Sequence, residues 1–300
     1  MCDTYDVRPR PVTSASGQEL EPSSRDPEPP TQDVEPADRG RTSSVSVSPT
    51  DDGLWCRRFH PAPDAAHRLV CFPHAGGSAS YYLPVSAALS PRADVVALQY
   101  PGRQDRRAEP LLDDIGTLAD RVHEALRGWD DRPLTFFGHS MGALVAFEVA
   151  RRFELEGGGP TRLFVSGRRA PSRHRDDNVH LRDDDGIIAE VKSMSGTDDR
   201  LLGDEELLRM ILPALRGDYR AVETYRCPPN STVACPVSAL VGDSDPKTTV
   251  EEAGDWERHT TGAFDLTVLP GGHFYLNDRA ADVLKLLGDH IASQSAPQSA

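Results

Sequence analysis

Three residues far apart in the chain have the types and settings to share one piece of chemistry. Ser140 lies in GHSMG (138–142), an aspartate lies in GDSDP (242–246), and His273 lies in PGGHFYL (270–276). A serine hydroxyl is a poor nucleophile until an imidazole accepts its proton, and the imidazole works best when a carboxylate fixes its tautomer. Together the three types point to acyl transfer: attack on a carbonyl carbon, an acyl-serine intermediate and release by water. Two aspartates compete for the third role. Asp245 lies deeper in the turn, ahead of Pro246, and is preferred; Asp243 has the alternative duty of bonding turn amides.

The elements around Ser140 make the pattern more than a glycine-flanked serine. The apolar run LTFF (134–137) reads as a strand, and ALVAFEVARRFELE (143–156) reads as a helix, with no turn residues between them. A serine at such a seam must take a strained backbone conformation to raise its hydroxyl above the sheet, and the flanking positions have no room for side chains. The helix that follows aims its positive end at the developing oxyanion. Two amides are expected to receive that charge: the N–H of Met141, directly after the nucleophile, and the N–H of Ala75 in FPHAGG (72–77). His74 in the same loop is expected to organise it through a hydrogen bond.

Strands and helices alternate from Leu54 onward. RLVCFP (68–73), ADVVAL (93–98), LTFFG (134–138), RLFVSG (162–167), PVSALVG (236–242) and FDLTVLPG (264–271) are the expected strands. Ile115, Leu118, Ala119, Val122, Ala125 and Leu126 mark one face of a helix, and ADVLKLLGDHIA (281–292) a closing helix. Alternation with short connections predicts a mostly parallel sheet covered by helices on both faces, and the order Ser, Asp, His is that of an α/β-hydrolase. Residues 170–232 break the series with two helical patterns and no strand, too long for an ordinary loop. They read as a helical lid. Gly186, Gly196, Gly203 and Gly217 are expected to interrupt its helices and leave it little apolar surface to bury.

Composition sets the outer limits. Residues 1–50 are dominated by Pro, Ser, Asp and Glu and read as a disordered tail, with the domain proper spanning residues 54–292 and residues 293–300 fraying. A net charge of -14 argues against phosphate-backbone recognition. No window approaches the roughly 18 apolar residues of a bilayer span, and the N-terminus has no apolar signal core. The five scattered cysteines lack C-x-x-C spacing and fit free thiols in a cytoplasmic protein.

The motifs FPHAGGSASYY, LQYPGRQDR, FFGHSMGALVAFEVAR, LFVSGRRAP, GDSDP and PGGHFYL, in this order between Leu54 and Ile291, resemble the type II thioesterases of polyketide and non-ribosomal peptide synthase systems. The resemblance implies an α/β-hydrolase fold with a helical lid. It implies Ser140 as nucleophile, Asp245 as acid, His273 as base, and Met141 and Ala75 as oxyanion donors; the sequence carries no metal-ligand cluster and no phosphate loop, so no metal or other cofactor is expected. The implied substrate is an acyl group on the phosphopantetheine thiol of an acyl or peptidyl carrier protein, removed by a monomeric editing enzyme. A free acyl-CoA thioesterase or an ester hydrolase would use the same residues. A non-enzymatic binding module would not need all of them.

Overall fold

The computed structural model describes residues 52–194 and 205–295. The expected tail over residues 1–50 lies outside the described residues, as do residues 296–300. Seven strands form one sheet: β1 (Cys56–Arg57), β2 (Arg68–Phe72), β3 (Asp94–Leu98), β4 (Leu134–His139), β5 (Arg162–Ser166), β6 (Val237–Gly242) and β7 (Phe264–Leu269). Their order across the sheet is β1-β3-β2-β4-β5-β6-β7. The two-residue β1, which the sequence reading missed, runs antiparallel to β3; the other neighbours pair in parallel. Nine helices are described: α1 (Asp52–Trp55), α2 (Leu83–Leu89), α3 (Ile115–Ala125), α4 (Met141–Leu155), α5 (Asp184–Ser193), α6 (Glu205–Thr224), α7 (Val250–Gly254), α8 (Tyr275–Asp278) and α9 (Ala280–Ser295).

The sheet is buried on both faces, which is why its inner strands read as apolar runs rather than alternating patterns. Successive side chains still point to opposite sides. Val70, Phe72 and Phe136 face a core completed by α3 and α4, where the Phe72 and Phe136 rings meet edge to face with centroids 5.1 Å apart. Leu69, Cys71 and Phe137 face a second core closed by α2 and α9. The α3 stripe anticipated at Ile115, Leu118, Ala119, Val122 and Ala125 is buried as a unit. Its start is fixed by Asp114, whose side chain accepts from the Thr117 amide at 2.7 Å.

Helix α4 lies at the centre, buried almost all round, and it approaches β2 unusually closely. A Cβ placed on Gly142 would sit 2.0 Å from the Phe72 carbonyl oxygen, and one on Gly138 would sit 2.3 Å from the Gly142 carbonyl oxygen. Both contacts are with backbone, so no side-chain rotation relieves them. The two glycines are a packing requirement of the seam.

Residues 170–232 carry α5 and α6 and, among the described residues, no strand. The expected role of the glycines there needs correction. Gly186 and Gly217 sit inside α5 and α6, while Gly196 and Gly203 lie outside the described residues. Gly186 falls in the first turn of α5, where its amide donates to the capping Asp183 carboxylate at 2.8 Å and the missing Cβ costs the helix little. The expectation of little apolar burial is also corrected: α6 buries Leu212, Leu215 and Ala221 against the sheet's two cores.

The seam gives a direct test. Gly142→Ala should lower unfolding stability by about 3 kcal/mol, an overpacking cost at a rigid backbone contact. Gly254→Ala, where an added Cβ meets only Leu266 Cδ2 at 3.9 Å, should change it by less than about 1 kcal/mol, because the backbone there is already helical. Urea denaturation of the two variants measures the difference.

Candidate active site

The carboxyl ends of β4, β6 and β7 bring the three chemical residues together. At the end of β4 the chain turns directly into α4, and Ser140 takes φ 55 and ψ -116, a positive-φ conformation costly for a non-glycine residue. Its amide donates to the Ser166 carbonyl at the end of β5, at 2.8 Å, which holds the backbone in place. The side chain is left to project above the sheet.

His273 follows β7. Its Nε2 lies 3.1 Å from Ser140 Oγ, and its Nδ1 lies 3.0 Å from each Asp245 carboxylate oxygen. Both partners are deeply buried: His273 is 3% exposed and Asp245 8%. With a carboxylate that can only accept on one side, the ring proton belongs on Nδ1, which leaves Nε2 to accept from the serine hydroxyl. Asp245 Oδ1 also accepts the Lys247 amide at 2.8 Å, so the carboxylate is itself held in position.

Asp243, the rival aspartate, is used elsewhere. Its Oδ1 accepts from the Gly271 amide at 3.0 Å, bracing the loop that carries His273. That bond leads the causes that hold its carboxyl below the usual carboxylate range. The two acids thus divide as the turn chemistry suggested, one toward the ring and one toward the backbone.

His74 departs from expectation. Its Nδ1 is buried without a hydrogen-bond partner, and its ring packs edge-on against Tyr81 and Phe274, with centroids 4.7 and 5.0 Å away. The loop is organised through the His74 main chain instead: its carbonyl accepts from the Gly77 amide at 2.9 Å. Burial, with the charges of His273 and Arg103 adding, pushes the ring down to about 3. His139, which the sequence reading did not single out because the variable position of G-x-S-x-G demands no particular side chain, is fully buried beside His273, with ring centroids 5.1 Å apart. Its Nδ1 lies 2.9 Å from Ser166 Oγ, which in turn lies 2.6 Å from the Tyr275 hydroxyl. Burial first, then the nearby His273 and His74, hold it well below the ordinary imidazole value.

Two spaces meet here. A chamber of about 50 Å³ is bordered by Ser140, His273, Val179, Tyr219 and Val222. A wide, mostly apolar cleft of about 1330 Å³ runs outward between the loop after β2 and helices α5 and α6. His74, Ala75, Met194 and Phe274 border both. The chamber wall also carries charge: Arg169 faces Asp177 at 3.6 Å, Lys247 pairs with Glu190, and Glu223 pairs with His180. Arg168, whose Nε is buried without a partner, is pushed down to about 9 by burial and by the adjacent Arg169. No group of His, Cys, Asp and Glu among the described residues is arranged to hold a metal ion.

The thioesterase domain family matches residues 67–291. Thioesterase PikA5 of Streptomyces venezuelae is 52% identical over 252 residues, which is 83% of this chain and 90% of that protein. The chain belongs to the thioesterase family. The thioesterase also superposes on the type II thioesterase BorB from the borrelidin biosynthetic cluster with a TM-score of 0.76 at 51% identity, covering 79% of this chain and 98% of that one. Its fold is the α/β-hydrolase fold, and the type II resemblance carried by the motifs is borne out. A Streptomyces griseus protein named "Probable cadicidin biosynthesis thioesterase" is 60% identical over 236 residues, and the matched part spans 65% of that relative's length.

Two outcomes follow from the site's geometry. Asp245→Asn should lower ester turnover by about 10⁴-fold through loss of the tautomer-fixing carboxylate, whereas Asp243→Asn should cost less than about tenfold, since it disturbs only the loop. Steady-state rates of the two variants at one pH decide it. The second concerns stability. His67, His74 and His139 are held neutral in the fold, His67 being pushed down to about 4 by burial, and in the unfolded chain they return to about 6.5. Depressed folded values mean that the unfolded state binds more protons on acidification. Their contribution is therefore complete above about pH 6.5 and is lost as the pH falls toward the folded values. The urea midpoint should be flat near neutrality and decline steadily below about pH 6.5. A midpoint that rises on acidification would contradict the neutral-ring assignment.

Proposed function

We propose that this thioesterase is a serine hydrolase that removes acyl groups from the phosphopantetheine thiol of acyl or peptidyl carrier proteins, clearing stalled or mis-primed chains from a polyketide or non-ribosomal peptide synthase. The observation that carries the proposal is the hydrogen-bonded chain Ser140–His273–Asp245, whose serine and histidine border a small chamber that shares Ala75 and Phe274 with a mostly apolar cleft. Its relatives support the substrate class, since one is named for cadicidin biosynthesis and another as a type II thioesterase of the borrelidin biosynthetic cluster.

The chemistry runs in two halves. Ser140 Oγ attacks the thioester carbonyl while its proton passes to His273 Nε2, and the resulting imidazolium is stabilised by Asp245. The carbonyl oxygen becomes an oxyanion facing the amides of Met141 and Ala75, with the N-terminus of α4 behind the former. Collapse expels the pantetheine sulfur, which takes the proton from His273. Water then gives a proton to the same nitrogen and attacks the acyl-serine. The second collapse breaks the serine ester, returns the proton to Ser140 and releases the acid. A thiolate leaves more readily than an amine, so this step asks less of the general acid than peptide hydrolysis does.

A slim arm entering along the cleft would bring a thioester past Ala75 and Phe274 to Ser140. Helices α5 and α6 form one wall of that route, and we assign residues 170–232 the role of a lid. None of the four described cysteines is in a disulfide, and no helix among the described residues is long and apolar enough to cross a membrane. Both fit the proposed cytoplasmic setting alongside a synthase.

Ser140→Ala should reduce kcat by about a million-fold without unfolding the protein, as loss of a triad nucleophile does in well-studied hydrolases. Retention of a tenth of wild-type turnover would rule Ser140 out as nucleophile. A panel of acyl-carrier proteins and matching acyl-CoAs tests the substrate class: kcat/KM should be higher on the carrier, because binding energy from its surface contributes to the transition state. Equal efficiency would favour a free acyl-CoA thioesterase.

A further inference from the structure

The carboxylate of Asp218 lies on the inner face of α6 and is 1% exposed, yet it belongs to none of the chemistry above. Its Oδ2 accepts from the Gly76 amide at 2.7 Å and from Arg103 Nη1 at 2.9 Å, and its Oδ1 accepts from Arg103 Nη2 at 2.8 Å. Arg103, 7% exposed, also donates through Nη1 to the Gly77 carbonyl at 3.2 Å. One turn earlier on the same helix, Leu215 fills the space above Gly76, which has φ +72 and where an added Cβ would fall 2.5 Å from Leu215 Cδ2. A single helix therefore grips the loop after β2 in two ways, by a buried charge network and by shape.

The grip falls on the turn that aims the Ala75 amide. The His74 carbonyl and the Ala75 N–H belong to one planar peptide unit and point in opposite directions. The Gly77 amide closes the turn by donating to that carbonyl at 2.9 Å, which turns the Ala75 N–H away from it. Asp218 and Arg103 hold two further polar groups of the same turn, the Gly76 N–H and the Gly77 carbonyl. A buried ion pair of this kind adds little to stability compared with apolar residues of the same size. What this pair supplies beyond packing is direction.

We infer that Asp218, backed by Arg103, is a positioning residue that couples the lid helix α6 to the oxyanion loop: with α6 seated the Ala75 amide is aimed, and when α6 lifts the aim is lost. The inference rests on the reading of Ala75 as an oxyanion donor. It gives the lid a part in the chemical step besides control of access. If α6 moves to admit a carrier-borne arm, hydrolysis waits until the helix reseats, because an open lid leaves Asp218 and Arg103 without one another and the loop without its brace.

Two double variants isolate the coupling. Arg103→Leu with Asp218→Asn, and Arg103→Leu with Asp218→Leu, both remove the ion pair, but only the first keeps an oxygen able to accept from the Gly76 amide. Melting temperatures should be similar, and KM for an acyl thioester should differ by less than about twofold, while kcat should be at least about tenfold higher for the Asn variant, since a misdirected donor harms the transition state more than binding. Equal kcat values would overturn the inference. The comparison is repeated on an aryl ester: wild-type turnover of the ester but not the thioester would count against the thioesterase reading, and the two variants would still decide the coupling. Hydrogen exchange on the wild-type chain needs no substitution. The Gly76 amide should be protected like those of β4, and exchange as fast as an exposed loop amide would equally overturn the inference.

Discussion

The site depends on how closely α4 approaches the end of β2. With Gly142 against the Phe72 carbonyl and Gly138 against Gly142, backbone meets backbone at distances no side chain tolerates. That contact lets the chain leave β4 and enter α4 without a loop, and it forces Ser140 into its positive-φ conformation. The same contact carries the loop after β2, with Ala75, to the N-terminus of α4. The place where an oxyanion would sit and the place from which a nucleophile would attack are thus set by one packing event.

Around this seam the fold places two uncharged rings near His273. His74 and His139 press on its neighbourhood as rings rather than as bases, and burial keeps both uncharged. A charged imidazole at either position would oppose the imidazolium that the proposed mechanism forms on His273. Asp245 then remains the charge that faces the ring directly, and Asp243 is occupied by the Gly271 amide. Position in the turn, a matter of two residues, separates a carboxylate that meets the base from one that braces its loop.

Helices α5 and α6 of the proposed lid bury more apolar surface than their glycines and charges suggested. Gly186 and Gly217 lie within helices, and α6 places Leu212 and Leu215 in the core while Asp218 forms a buried pair with Arg103. A charged residue on the apolar stripe of α6, between Leu215 and Val222, was the available signal. It passed unnoticed because one acidic residue in a charge-rich helix looks like surface until its facing loop is known.

Local sequence determined much of this protein. Apolar runs marked six of the seven strands: five are buried on both faces and leave no alternation to blur, and β7, only partly buried, is apolar at four of its six positions. Glycine on both sides of Ser140, between a strand and a helix, marked the elbow, because only that local geometry needs both. Turn position preferred Asp245 to Asp243. Tertiary structure decided what depends on partners distant in the chain. It gave the His74 ring a packing role, since Tyr81, Phe274 and His139 surround it and its own carbonyl closes the turn. It paired the two-residue β1 with β3, a strand too short to carry any periodic signal. It also joined Arg103 to Asp218 across 115 residues, because a buried charge can be recognised only when the group that neutralises it is in place.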